Sequence, residues 1–86
     1  MTATAPGRVL LYGKPGCHLC DEARAVIARV CAETQTTYDE IDITTDPALM
    51  REYGEQIPVT FVDGDQHDFW RVDEARLRAA LAEGGL

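Results

Sequence analysis

Cysteine is scarce in this 86-residue chain, and three is an odd number. A small secreted fold stapled by bridges carries about four to eight. Three residues exclude that framework and point to a reducing compartment, where a cysteine pair serves turnover. Positive charge is short too: 8 Lys and Arg stand against 15 Asp and Glu, for a formal net charge of -7. Nucleic-acid affinity rests largely on clustered Lys and Arg, so no nucleic-acid partner is expected. No stretch reaches the roughly 20 apolar residues that span a bilayer. Met1 to Gly7 also lacks the basic segment, apolar run and small-residue cleavage site of a signal peptide. No membrane partner is expected, and the expected location is cytoplasmic. Repeats, linkers and low-complexity segments are missing as well. The expectation is a single domain over residues 1–86, monomeric, with 1–7 as a loose N-terminal arm.

Hydrophobic residues make up 45% of the chain, enough for one modest core. Arg8-Val9-Leu10-Leu11-Tyr12 is a short β-branched and aromatic run that suits a buried strand, broken by Gly13 to Gly16. From Cys17, apolar positions Cys20, Ala23, Ile27, Val30 and Cys31 recur at helical spacing, predicting a helix to about Glu33. Thr37 to Ile43 is rich in Thr and Ile and alternates imperfectly, which favours a strand. Asp46-Pro47 is a capping residue followed by a proline suited to the first helical position, so a short helix is expected to Tyr53, ended by Gly54. Ile57 to Val62 is a third strand, Asp63-Gly64 a tight turn, and Gln66 to Val72 a fourth strand antiparallel to the third. Asp73 caps a last helix with Leu77 and Leu81 on one face and Gly84-Gly85 beyond it. The order β-α-β-α-β-β-α predicts an α/β fold, a four-stranded mixed sheet with helices on both faces.

Cys17-His18-Leu19-Cys20 lies between the first strand and the first helix. Two cysteines three apart share a helix face and can bridge each other. A thiol in the first helical turn meets unpaired backbone N–H groups and the positive end of the helix dipole, which favour a thiolate at Cys17. Cys20, one turn deeper among apolar residues, is expected to stay protonated until needed. The pair therefore suits thiol–disulfide exchange, with Cys17 as nucleophile and Cys20 as resolving thiol. Lys14 and His18 are candidates to tune Cys17 by adding positive charge, opposed by Asp21 and Glu22.

Tyr12-Gly13-Lys14-Pro15-Gly16-Cys17-His18-Leu19-Cys20 and Ile57-Pro58-Val59-Thr60-Phe61-Val62-Asp63-Gly64 together resemble the glutaredoxins and small glutaredoxin-like proteins of the thioredoxin superfamily. The resemblance covers most of the chain. It implies a thioredoxin-like, glutaredoxin-type fold and a thiol–disulfide oxidoreductase acting on protein or low-molecular-weight disulfides. It also implies a cis peptide bond at Pro58, with Ile57 and Pro58 beside the redox pair as substrate-binding residues. No cofactor is implied beyond the Cys17/Cys20 disulfide, and electrons would come from an external thiol or a reductase protein. The chain departs from the family at His18-Leu19, where proline and an aromatic are usual. It departs again at Asp68-Phe69-Trp70-Arg71, which stands where the family's Gly-Gly and acidic residues bind the γ-glutamyl end of glutathione.

The alternative function is a metal-binding module or iron–sulfur carrier using the same cysteine pair. A structural zinc site needs four ligands, and beyond the pair only His18, His67 and Cys31 are on offer. Cys31 lies eleven residues after Cys20, about 16 Å along a helix, so the two cannot bridge, and a core position is expected for it. Trp70 is expected as an anchor over the sheet or last helix, His67 as a surface strand residue, and Asp39, Glu40 and Asp42 as a solvated acidic face.

Overall fold

Residues 8–83 are described by the structure, a computed structural model. The expected arm at 1–7 and the closing glycines 84 and 85 lie outside that range. Strand β1 (Val9–Gly13) leads to α1 (His18–Thr34), β2 (Tyr38–Asp42), α2 (Pro47–Tyr53), β3 (Val59–Val62), β4 (Asp65–Phe69) and α3 (Glu74–Glu83). A single 3₁₀ turn, Ile43–Thr45, separates β2 from α2. The sheet order is β2-β1-β3-β4, with β1 parallel to β2 and antiparallel to β3, and β3 antiparallel to β4. A parallel neighbour requires a crossover, which α1 provides, while two residues suffice to turn β3 into β4.

Strand alternation distributes the two faces. Val9 and Leu11 stand opposite Val62 and Thr60, so these four share one face. There Val9, Leu11 and Val62 pack with Ala23, Ile27, Val30 and Cys31 of α1 and Leu77 and Leu81 of α3. Cys31 thus takes the core position expected of it. Tyr12 and Phe61 belong to the other face, where they meet Tyr53 of α2 at ring-centroid distances of 5.2 and 5.9 Å and each other at 5.0 Å. Edge-on and tilted contacts at these distances match the quadrupoles of the rings.

Helix ends follow local chemistry. Asp46 Oδ1 accepts the N–H groups of Ala48 at 3.0 Å and Leu49 at 3.3 Å, with Pro47 at the first helical position. Asp73 Oδ1 accepts from Arg76 N–H at 3.0 Å. Several strand ends differ from expectation, and three of them have an identifiable cause. Strand β2 stops at Asp42 because the Asp42 carboxylate accepts from Thr44 N–H at 2.9 Å and starts the 3₁₀ turn at Ile43. Strand β3 starts at Val59, after a cis Ile57–Pro58 bond and a proline that has no N–H for the ladder. Strand β4 ends at Phe69, since Trp70 turns into the left-handed region at φ 64°.

Side-chain surroundings correct three further expectations. Trp70, expected as an anchor, is 53% exposed; its Nε1–H donates to Glu55 O at 3.1 Å. His67, expected at the surface, has a side chain only 11% exposed. The acidic stretch is exposed at Asp39 and Glu40 as expected, Glu40 in an ion pair with Arg24, while Asp42 is half-buried and caps the 3₁₀ turn.

Candidate active site

Cys17 is the N-cap of α1, with extended backbone (φ -95°, ψ 113°), and its Sγ accepts the backbone N–H of Cys20 at 3.1 Å. In most helices a serine, threonine or aspartate oxygen takes this donor. Here a sulfur does, and an N–H aimed at sulfur is a donor that a thiolate accepts more strongly than a thiol. Gly16, at φ 75°, makes the turn that delivers Cys17 to the helix start, a conformation in which a side chain would be strained. Cys17 is partly exposed and Cys20 fully buried, so the sulfur at the cap meets solvent first.

Cys20 lies against the end of β1. A Cβ built on Gly13 would stand 3.1 Å from Cys20 Sγ and 3.3 Å from its Cβ, so glycine is what lets this thiol sit flush against the strand. Burial pushes the Cys20 thiol up to about 11. Its own hydrogen bond to Cys17 and the negative charges of Cys17 and Glu40 act in the same direction, while the Lys14 backbone amide opposes them. Glu40, next to the same glycine, binds Arg24 through two contacts of 2.6 Å, and Arg24 reaches Asp21 at 2.7 Å. Hydrogen bonding to Glu40 first and Asp21 second raises the Arg24 guanidinium above its ordinary range, so this cation stays charged at every working pH.

The residues expected to surround the pair divide into two groups. Ile57 is buried with Cys20, Ile43 and Val59 in one apolar cluster, against which Cys17 also packs. Pro58 is fully buried and follows Ile57 through the cis bond. Sheet order makes this possible, because β1 and β3 are neighbours and the residues flanking both strand ends meet. His18 instead points outward, its Nε2 at 3.0 Å from Glu22 Oε2 and its side chain 87% exposed. The Lys14 side chain is exposed, and it is the backbone of that residue that faces Cys20. Gly13, Glu40 and Trp70 belong to the neighbourhood of the site, though from sequence they read as a strand break, a solvated acidic residue and a packing anchor. The register of β2 against β1, which sets Glu40 beside this end of the sheet, has no local signal in the chain. Among the described residues, no three His, Cys, Asp or Glu side chains gather into a set able to hold a metal ion. Among them, too, no helix is long and apolar enough to cross a membrane.

Residues 8–82 match the family model described as Glutaredoxin-like domain (DUF836). The chain belongs to this glutaredoxin-like family. Within reach of the same match, the uncharacterized protein Rv0508 of Mycobacterium tuberculosis is 35% identical over 80 residues, covering 87% of this chain and 82% of that protein. The X-ray structure of XcR50 from X. campestris is similar at 36% identity and a TM-score of 0.73, over 87% of this chain and 96% of the other. The solution structure of Ne2328 from Nitrosomonas europaea follows at 26% identity and a TM-score of 0.72, over 92% and 95%. A mutant thioredoxin from Halobacterium salinarum, 24% identical with a TM-score of 0.61 over 87% of this chain and 71% of its own, shares the fold. The glutaredoxin-like chain is thus an α/β protein of thioredoxin-like architecture, and a redox-related role accompanies that family and fold.

Proposed function

We propose that the protein is a thiol–disulfide oxidoreductase in which Cys17 is the nucleophile and Cys20 the resolving thiol. The observation that carries this reading is the unequal placement of two sulfurs one turn apart, the first partly exposed at a helix cap and the second buried beneath it. Cys17 thiolate attacks one sulfur of the substrate disulfide, forming a mixed disulfide and expelling the other sulfur as a thiolate that takes up a proton. Cys20 then gives up its proton and attacks Cys17 Sγ, expelling the second substrate sulfur. Two electrons and two protons pass to the substrate, and a Cys17–Cys20 disulfide remains. An external thiol or a reductase protein returns the two electrons. The Ile57–Pro58 backbone offers the strip along which an extended substrate lies, and Lys14, exposed beside the cysteine turn, adds positive charge to the approach, while His18 is turned to Glu22. The substrate is a disulfide in a protein or in a small molecule, and the protein acts in the cytoplasm.

Retaining a proton on Cys20 has a purpose in this cycle. Were both thiols ionised at rest, two like charges would share one helix turn. Keeping Cys20 neutral leaves the anion at the exposed sulfur alone. The test is trapping. Cys20→Ser is expected to accumulate the mixed disulfide, seen by mass spectrometry as one substrate thiol added at Cys17, while Cys17→Ser leaves the substrate oxidised. Normal turnover of a protein disulfide by Cys20→Ser would contradict the two-thiol route.

A further inference from the structure

We infer that Trp70 is a specificity-determining residue, a platform that receives one large apolar side chain of an extended polypeptide substrate next to its half-cystine. This deepens the thiol–disulfide exchange proposed above and rests on it. Three observations meet at this residue. The indole is, with Ile41 and Met50, one of three exposed large hydrophobics among the described residues, and at 53% the most exposed of them. Its backbone sits at φ 64°, a conformation that bulky residues avoid, so the surrounding contacts hold it there. Those contacts tie it to the Ile57–Pro58 strip: Trp70 N–H donates to Pro58 O at 2.8 Å and to Gln56 O at 3.3 Å, and the indole N–H to Glu55 O at 3.1 Å. Strain kept by three hydrogen bonds beside a candidate active site is strain that positions something.

What it positions is one side of a groove. Leu19, Ala23 and Val26 of α1, with Glu22 at the rim, form one wall, and Trp70, Arg71 and Val72 the other, around about 120 Å³. Leu19 stands between the two cysteines of the Cys-x-x-Cys turn, so one end of the groove lies at that turn. Its size selects the class of occupant. Sites for whole small molecules run from about 300 to 1,000 Å³, whereas an apolar cavity of about 150 Å³ accepts a single benzene-sized group. The groove therefore takes one phenyl- or leucine-sized side chain, with the rest of the substrate lying outside it. At the rim Arg71, 76% exposed, is paired with Glu22 at 3.3 Å, so the charges there offset each other and the selection rests on the apolar side chain.

The test uses the whole protein and pairs of peptide mixed disulfides differing only by Phe or Gly beside the half-cystine, on the N-terminal side in one pair and the C-terminal side in the other. Hydroxyethyl disulfide serves as a substrate without a side chain. Wild type is expected to prefer Phe over Gly in kcat/KM by about tenfold in at least one pair, as for an aromatic anchor in a binding groove. Trp70→Gly, which removes the ring at a φ that glycine adopts without strain, is expected to bring the ratio to within about twofold, and Trp70→Phe to retain most of it. Equal rates for Phe and Gly peptides with wild type, or a preference that survives Trp70→Gly, overturn the inference while turnover of hydroxyethyl disulfide keeps the underlying activity standing. Failure of wild type to reduce all of these disulfides overturns both.

Discussion

Gly13→Ala tests the seat of the buried thiol. The added methyl carbon would lie 3.1 Å from Cys20 Sγ and 3.3 Å from its Cβ, inside ordinary van der Waals separation. Overpacking by one methyl in a filled core costs about 1–3 kcal/mol. Replacing glycine by alanine returns about 0.4–1 kcal/mol by restricting the unfolded chain, and no left-handed φ at Gly13 opposes it. The single variant is therefore expected to lose about 0.5–2 kcal/mol. Cys20→Ala alone removes a buried sulfur and leaves a small void, at a cost of about 1 kcal/mol. In the double variant the methyl at 13 occupies the space the sulfur left. The two changes should then be less damaging together than their sum by about 1 kcal/mol, within the range for residues in contact. Urea unfolding under reducing conditions, with an unchanged m-value, measures all four corners of the cycle. Additivity to within about 0.3–0.5 kcal/mol would mean that residue 13 and the sulfur of residue 20 do not touch, and the account of the buried thiol would fall.

Asp46→Ala removes the carboxylate that accepts from Ala48 and Leu49 N–H, and is expected to cost about 1 kcal/mol in urea unfolding; no change would mean that the cap is idle. Glu74 is held down at about 2 by hydrogen bonds from Arg29 and then Arg78. Because its folded value is depressed, the stabilisation it supplies is complete above its ordinary value of 4.5 and disappears as pH falls toward 2. The difference in stability between wild type and Glu74→Gln should accordingly shrink across that window, and a gap independent of pH would contradict the assignment. Glu40→Gln removes one of the charges that raise Cys20, so in a Cys17→Ser background the Cys20 titration, followed through its Cβ chemical shift, is expected to move down; an upward movement would place Glu40 elsewhere.

Where the chain's chemistry is local, its sequence was legible. Cys17, Asp46 and Asp73 each accept an N–H two or three residues ahead, so a capping residue beside an apolar helical pattern located all three helix starts within a residue. That Cys17 and Cys20 lie one helical turn apart followed from helical spacing alone. The end of β4 was not legible, because Trp70 is bent into the left-handed region by carbonyls of Gln56 and Pro58 that come from a distant loop. An aromatic residue ordinarily goes inward, and nothing adjacent to Trp70 announces that this one faces out. The ion pair of Glu40 was not legible for the same reason: its partner Arg24 is sixteen residues away and meets it only once α1 crosses from β1 to β2. Gly13 read as a strand breaker, yet it is the last residue of β1 and the floor under Cys20.

The most direct measurement of the central claim is the connectivity of the oxidised protein. After mild diamide oxidation and peptide mapping, a disulfide between Cys17 and Cys20 is expected, with Cys31 recovered as a free thiol. The bridge should titrate at a potential between roughly -300 and -120 mV against a dithiol buffer. Recovery of Cys17 and Cys20 unjoined, or of either one joined to Cys31, would contradict the account.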